Sequence, residues 1–186
     1  MATASDALAA PAGPAGAKRR LSFWGKLAGL AVLLAVVSGY RGLEHWQKTH
    51  GVFINMSESL PNWAFLVETQ RFPTRRGQYV MFDPPRSALI RRHFGEDPGA
   101  FGKIVYGLPG DVVTRNGAIV SVNGTPVARL KPRTRLGEVL RPGPTGTVPD
   151  DCLYVGTPHR DGFDSRYAEI GFVCISRIVG IGTPLL

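Results

Sequence analysis

Three tight-turn signals within residues 102–130 constrain the fold of this chain more than any other feature. The segment reads GKIVYGLPGDVVTRNGAIVSVNGTPVARL, and its turn signals are Pro109-Gly110, Asn116-Gly117 and Asn123-Gly124. They separate short runs that alternate apolar and polar residues, which is typical of half-buried strands joined by hairpins. The sequence therefore predicts an antiparallel, mainly β domain.

Other segments of the C-terminal part agree with this interpretation. WAFLVETQ (63–70) and GQYVMFDPP (77–85) have the length and composition of strands, and the last part of the chain contains more. RSALIRRHFG (86–95) is the good candidate for a soluble helix, with Gly95 as its end. Residues 131–151 are basic and rich in Pro and Gly, so we expect an irregular surface loop.

The N-terminal part has a different organisation. Residues 1–20 are rich in Ala, Pro and Gly and predict a disordered cytoplasmic tail. The run at 21–41 is interrupted by Lys26, but it is long enough for a membrane span if that lysine reaches the interface. We therefore predict four parts: the tail, a transmembrane anchor at 21–41, a linker at 42–50 and a periplasmic domain at 51–186.

The orientation of the anchor follows from charge. Lys18, Arg19 and Arg20 precede the apolar run, which predicts a cytoplasmic N-terminus and an exported C-terminal domain. A cleaved signal peptide is the alternative, although no clear cleavage site follows the run. The formal net charge of +8 fits anionic lipid beside the anchor. No nucleic-acid motif is present, so the expected partners are a membrane and a membrane-associated protein.

Two cysteines, Cys152 and Cys174, lie in the exported part. An oxidising compartment permits a disulfide between them, and buried free thiols are the alternative. Their spacing does not suit a metal site, and no metal or organic cofactor is implied.

The stretch NMSESLP (55–61) places Ser57 and Ser59 two residues apart. Serine needs a general base to become a nucleophile. His159 has Asp161 and Asp164 nearby in sequence, but a solvated loop histidine is the favoured explanation. A buried lysine is the other possible base, because desolvation lowers the pKa of an amine. Lys103 lies at the head of an apolar strand, where the alternative is an edge lysine that faces water.

Three segments in order resemble the conserved motifs of type I signal peptidases, most closely the TraF-type peptidases of conjugative transfer. The segments are SESLP, GKIVYGLPGDVV and VPDDCLYVGTPHRDGFDSRYAEIGFV. The resemblance as a whole extends from near Val52 to near Thr183. The resemblance implies a signal-peptidase-like antiparallel β fold and a serine–lysine dyad. In this chain Ser59 matches the nucleophile and Lys103 the base. Ser57 matches an oxyanion donor, with a bond to its own backbone as the alternative.

The resemblance also implies supporting and substrate-binding residues. Asp164 and Arg166 match the Asp-Ser-Arg motif, where Asp164 has either a direct catalytic role or a structural one. Gly107, Pro109 and Gly110 shape a turn that Asp111 caps. An extended substrate in this family adds as a β-strand, and we expect its pockets to be lined by Phe65, Val67, Tyr79 and Met81.

Two departures from the family pattern concern the predicted support of the lysine. Leader peptidases usually have a serine two residues before Asp-Ser-Arg, where it helps to hold the lysine, and this chain has Gly162. The family's Gly-Asp-Asn is Gly156-Thr157-Pro158 here. Both changes affect residues that would hold the lysine in place in the family.

The function implied by the resemblance is that of a single-pass endopeptidase of the bacterial inner membrane with its catalytic domain in the periplasm. Its substrate would be a pilin precursor or another exported precursor of a conjugative system, and some relatives cyclise their product. The alternatives are a general leader peptidase and a catalytically inactive assembly protein. A self-cleaving repressor also uses this dyad, but the predicted anchor disfavours it.

Overall fold

The computed structural model describes residues 22–186, so the predicted disordered tail at 1–20 lies outside the described residues. Its first element is a helix, α1, over Phe23–Thr49. At about 1.5 Å per residue this helix is about 40 Å long, more than the roughly 30 Å of a bilayer's hydrocarbon core. Within the described residues α1 is the helix that is long and apolar enough to cross a membrane, with a mean hydropathy of 1.5. A signal sequence has the same properties.

The helix continues through most of the predicted linker at 42–50 and ends at Thr49. The Thr49 hydroxyl lies 3.1 Å from the carbonyl oxygen of Trp46, one of the groups that the helix end leaves unpaired, and can donate to it. The linker is therefore helical except for His50, which begins the first strand.

The unit Glu44–Leu186 contains all the strands. The strands are β1 (His50–Ile54), β2 (Ala64–Thr69), β3 (Tyr79–Phe82), β4 (Phe101–Gly107), β5 (Val112–Asn116), β6 (Ile119–Val122), β7 (Thr125–Arg129), β8 (Gly146–Thr147), β9 (Cys152–Gly156), β10 (Val173–Cys174) and β11 (Ile178–Pro184). A short helix, α2 (Ala88–Phe94), and one 3-10 turn (Ile175–Arg177) complete the unit.

The strands form two antiparallel sheets. The larger has seven strands in the order β1-β2-β11-β3-β4-β9-β10, and the smaller has four in the order β7-β6-β5-β8. Every paired neighbour is antiparallel. The prediction of a mainly β, antiparallel fold preceded by one apolar helix is therefore confirmed.

The predicted turns lie where the strands reverse. Asn123 and Gly124 have positive φ angles of 48° and 80°, as a two-residue hairpin requires, and they join β6 to β7. Gly110 has a φ of 83° in the turn before β5, where the Asp111 carboxylate accepts the Leu108 N–H at 2.7 Å. The segment at 131–151 is irregular except for the two residues of β8.

Cys152 and Cys174 are joined by a disulfide bond. The two residues are also register partners on β9 and β10. The bond therefore ties the outermost strand of the larger sheet to β9, the strand that leads into the candidate site.

Candidate active site

Lys103 lies on β4, a strand with hydrogen-bonded neighbours on both sides. On one side its register partner is Val80 of β3. On the other side Ile104 pairs with Gly156, the last residue of β9, and Thr157 follows it directly. Because opposed residues share a face of the sheet, the side chains of Val80 and Lys103 point to the same side.

The surroundings of the Lys103 side chain are apolar. Phe101 and Val105 share its face of β4, and the amine lies 5.7 Å from the centre of the Phe101 ring. Val80 and Val105 belong to the main hydrophobic core, against which Phe101 packs. Only 6% of Lys103 is exposed. The structure therefore excludes the alternative of an edge lysine that faces water.

Burial changes the protonation of this amine. Removal from water lowers the pKa of Lys103 from 10.5 to about 8, since the charged form loses its hydration. The Asp164 carboxylate opposes this change and raises the pKa in part, while Arg166 lowers it. Within residues 22–186, no hydrogen bond or ion pair engages the amine. Lys103 is thus a buried amine that is half neutral near pH 8.

The segment with the two serines is a turn held by Asn55. The Asn55 side-chain amide donates to the carbonyl oxygens of Leu60 and Asn62, at 3.3 and 3.1 Å. Its carbonyl oxygen accepts the Ser57 hydroxyl at 2.8 Å and the Ser57 N–H at 3.2 Å. One asparagine therefore fixes both ends of the turn that carries Ser59.

The two serine hydroxyls are hydrogen-bonded to each other at 2.7 Å. Since the Ser57 hydroxyl donates to Asn55, the Ser59 hydroxyl is the donor in this second bond. The Ser59 N–H also donates to the Ser57 oxygen, at 3.4 Å. The Ser57 hydroxyl is thus engaged within its own turn, mainly by the side chains of Asn55 and Ser59.

Leu60, which follows Ser59, packs the turn against β4. It is 5% exposed, and a Cβ atom added at Gly102 would lie 3.1 Å from its Cδ1 atom. The same atom would lie 3.1 Å from the ring of Phe53. Gly102 therefore allows close approach of the serine turn to the strand at the position directly before Lys103.

Ser57, Ser59 and Lys103 line one cavity of about 850 Å³. No hydrogen bond joins the Ser59 hydroxyl to the Lys103 amine in the described part of the chain, where the hydroxyl is bonded to Ser57 instead. The predicted dyad residues thus share a cavity in a resting arrangement. In enzymes without substrate, catalytic hydrogen bonds are often longer than in the complex.

Asp164 and Arg166 form a buried ion pair beside the site. Their exposed fractions are 0% and 2%. The guanidinium donates two bonds to the carboxylate, both at 2.8 Å, and a third to the Thr157 carbonyl oxygen at 2.7 Å. The carboxylate also accepts the N–H groups of Thr157 and Arg166, both at 3.1 Å. Asp164 is therefore bonded to Arg166 and to backbone, while its effect on Lys103 is electrostatic.

The predicted substrate residues are in a different place. Phe65, Val67 and Met81 are buried in a second core cluster, and Tyr79 packs against it. None of the four lines the cavity. This cavity does not support the prediction that they form substrate pockets, because Tyr79 and Met81 pair with Ile104 and Gly102 and so lie on the face of the sheet opposite Lys103. The cavity has an aromatic wall instead, formed by Phe94, Phe101, Phe163 and Tyr167.

His159 is not paired with an aspartate. Its ring lies 3.7 Å from the Glu58 carboxylate, and the Asp161 N–H donates to it at 3.2 Å. The Asp161 carboxylate contacts Lys131 and Arg135, and Asp164 contacts Arg166. The alternative of a histidine base with an aspartate partner therefore has no geometric support.

Thr157 and Asn55 are site residues that the sequence did not assign. The Thr157 hydroxyl donates to the carbonyl oxygen of Ser59. Asn55 precedes the two serines in the quoted motif, and its position there was the only signal for its role. The signal for Thr157 was the departure from the family's Gly-Asp-Asn, whose consequence depends on a contact between distant parts of the chain.

One group in the described residues has the spacing of metal ligands, namely Asp151, Cys152 and Cys174. Both sulfur atoms belong to the disulfide, so neither offers the thiolate that binds a metal.

Comparison with known proteins agrees with this geometry. The family described as "Signal peptidase, peptidase S26" matches residues 21–184. The chain belongs to this family. Its members are serine peptidases. The chain is also similar to a protein of Sinorhizobium fredii (strain NBRC 101917 / NGR234) named "Probable conjugal transfer protein TraF". The two are 29% identical over 153 residues, which cover 76% of this chain and 79% of the relative.

Proposed function

We propose that this S26 peptidase cleaves an exported precursor protein of a conjugative transfer system, with Ser59 as nucleophile and Lys103 as general base. The observation that carries the proposal is the burial of Lys103, a residue that lines the same cavity as Ser59. A buried ammonium lowers the stability of a fold. An amine in this position is therefore better explained by chemistry than by packing. The name of the relative supports the assignment to conjugative transfer.

The first step requires neutral Lys103. The amine removes the proton of the Ser59 hydroxyl while the Ser59 oxygen attacks the substrate carbonyl carbon. The peptide nitrogen then takes a proton and leaves, and an acyl-enzyme remains on Ser59. In this step the Ser59 hydroxyl would leave Ser57 and turn toward Lys103, a residue that lines the same cavity.

The developing oxyanion needs hydrogen-bond donors, and the serine turn offers two. One is the Ser59 N–H, which donates to the Ser57 hydroxyl oxygen in the structure. The other is the Ser57 hydroxyl, which donates to the Asn55 side chain. An anionic oxygen is a stronger acceptor than the Asn55 amide oxygen, so the Ser57 hydroxyl would turn toward it. Loss of one such donor typically costs about 3 kcal/mol of activation free energy.

The acyl-enzyme has two possible outcomes. Attack by water gives a linear product, and attack by the amino terminus of the same substrate gives a cyclic one. The two products differ in mass by one water molecule. Cyclisation of a pilin precursor is the narrower form of the proposal, and the mass of the product distinguishes it.

We assign supporting roles to Asp164 and Arg166, because their mutual ion pair and backbone bonds occupy them. We also propose that the domain lies in the periplasm, with the N-terminal helix as a membrane anchor. The basic residues before the apolar segment support this orientation. The disulfide supports an oxidising compartment.

The test uses the full chain in detergent with the pilin precursor of the same conjugative system, and a signal-peptide-bearing preprotein as second substrate. We expect cleavage of the pilin precursor by the wild type, and no cleavage by S59A or K103M. Both variants should keep the wild-type circular dichroism spectrum. Cleavage by K103M at the wild-type rate would overturn the dyad. Preference for the preprotein would indicate a general leader peptidase, and no cleavage of either substrate would favour a non-enzymatic assembly protein.

A further inference from the structure

Thr157 connects three parts of the candidate site. Only 1% of the residue is exposed, and its hydroxyl donates to the Ser59 carbonyl oxygen. The same hydroxyl oxygen accepts the His159 N–H at 3.2 Å. A buried side chain from the end of β9 therefore holds the backbone of the residue that we propose as nucleophile.

The backbone of Thr157 is itself fixed by the buried ion pair. Its N–H donates to Asp164 at 3.1 Å, and its carbonyl oxygen accepts from Arg166 at 2.7 Å. The position of Thr157 therefore does not depend on its own side chain. A variant that changes only the hydroxyl should leave these two bonds in place.

Thr157 also directly follows Gly156, whose register partner Ile104 is the next residue after Lys103. Its hydroxyl holds the serine turn, and its place in the chain is next to the strand that carries the lysine. We infer that Thr157 is a positioning residue that sets Ser59 at the correct distance from Lys103, an inference that rests on the proposed function. Thr157 contacts no reacting atom, since it bonds the Ser59 carbonyl oxygen and not its hydroxyl.

The absence of a side chain at Gly162 leaves room for the Thr157 side chain. A Cβ atom at position 162 would lie 2.0 Å from the Thr157 methyl carbon, far inside any real contact. It would also lie 3.1 Å from an Asp164 oxygen and 3.1 Å from the His159 carbonyl oxygen. The Thr157 side chain therefore occupies the space that a side chain at 162 would need. A serine at 162 would therefore require the Thr157 side chain to leave its observed position.

The first experiment replaces Thr157 in the full chain and measures cleavage of the pilin precursor. T157V has the same shape without the hydroxyl, and we expect its kcat to fall on the order of 10²-fold with little change in KM, because a reacting group is displaced. T157S keeps the hydroxyl and should keep most of the wild-type kcat. T114V is the matched control, because Thr114 is exposed on β5 in the other sheet.

The pH dependence separates this role from a direct effect on the lysine. Thr157 fixes the serine turn and not the amine, so the pH midpoint of kcat/KM should be the same in T157V and wild type. A midpoint that moves with the substitution would contradict the inference.

A second pair of variants tests the inference even if T157V fails to fold. G162A alone should lose activity, because its methyl group displaces Thr157. The double variant G162A/T157S lacks the colliding Thr157 methyl and should regain activity. Equal activity of G162A and G162A/T157S would overturn the inference.

The outcomes also distinguish this inference from the proposed function. If the wild type cleaves and K103M does not, the dyad stands. Wild-type kcat in T157V, or equal loss in T157V and T157S, would then overturn the role of Thr157 alone. If S59A and K103M cleave like the wild type, the proposed function itself fails.

Discussion

At the scale of single residues, the candidate site depends on the Lys103 amine, which is buried away from water. An ordinary lysine at pH 7 is almost entirely protonated and cannot act as a base. The change in the pKa of Lys103 from 10.5 to about 8 raises the neutral fraction at pH 7 on the order of 300-fold. The apolar neighbours Val80, Phe101 and Val105 produce this change by excluding water. The chemistry of the site is therefore a consequence of how β3, β4 and β9 pack.

The first prediction concerns the pH dependence of catalysis. Since the neutral amine is the active form, kcat/KM should rise with pH and reach half its maximum near pH 8. We expect little cleavage at pH 6, where Lys103 is protonated. A pH–rate profile from 6 to 10 on the pilin precursor measures this. A profile that is flat between 7 and 9 would contradict a lysine base.

The same pKa has a consequence for stability that does not depend on substrate. The folded pKa of Lys103 is below its unfolded value, so the unfolded state binds more protons between pH 8 and 10.5. The free energy of unfolding should therefore gain about 3 kcal/mol from this group as the pH rises through that range. K103M removes the group and should lose this gain, as urea denaturation at several pH values would measure. An identical pH dependence in both proteins would mean that the amine is solvated.

The sequence predicted Ser59 and Lys103 because their motifs are local and ordered along the chain. It did not predict the hydroxyl bond of Thr157 to Ser59, since that contact depends on how β9 lies against the serine turn. It also did not indicate which side of the sheet borders the cavity, because the strands of Phe65 and Met81 are buried on both faces and carry no alternation to mark that side.

At the scale of elements, β9 links the stability of the sheet to the geometry of the site. All five of its residues are buried, and it ends at Gly156, directly before Thr157. The outermost strand, β10, has only two residues and pairs with β9 at Leu153 and Cys152. So short a strand contributes few hydrogen bonds. The disulfide compensates by holding the pair together.

A further prediction concerns this disulfide. The bond closes a loop with a sequence separation of 22. On the chain-entropy account, its loss should lower the free energy of unfolding by about 3 kcal/mol. C152S/C174S should therefore unfold at a lower temperature than the wild type in calorimetry, while its cleavage rate at low temperature changes little. A reducing agent should lower the unfolding temperature of the wild type and leave that of the variant unchanged. A wild type insensitive to the reducing agent would contradict a stabilising bond.

Element types were predictable where turn residues mark the chain. The Asn-Gly pairs predicted the hairpins of the smaller sheet, and Gly95 marked the end of α2. The end of α1 was not predictable from hydropathy. Polar residues after Tyr40 end the apolar segment, but they do not end a helix, and the structure continues it to Thr49. Strand β8 is two residues long, too short for a periodic signal.

At the scale of the whole chain, an apolar helix and a peptidase fold occur in one polypeptide. The family match covers residues 21–184, so it includes the helix as well as the sheets. If the helix is an anchor, it restricts the enzyme to substrates at the membrane surface. If it is a cleaved signal sequence, the same fold would act in free solution. Whether the helix stays on the mature protein therefore decides which precursors the site can meet.

The last prediction is that the helix is retained and that the C-terminal domain lies outside the cytoplasm. The intact mass of the protein purified from membranes should include residues 22–41, and alkaline carbonate should not extract it. Protease added to spheroplasts should degrade the domain at Glu44–Leu186, because the basic residues Lys18 to Arg20 keep the preceding end inside. Replacing these three residues by glutamine is the matched control, and it should reduce the fraction of correctly oriented protein. A mature protein that begins after Tyr40 and is soluble in the periplasm would refute the anchor, yet would leave the dyad at Ser59 and Lys103 untouched.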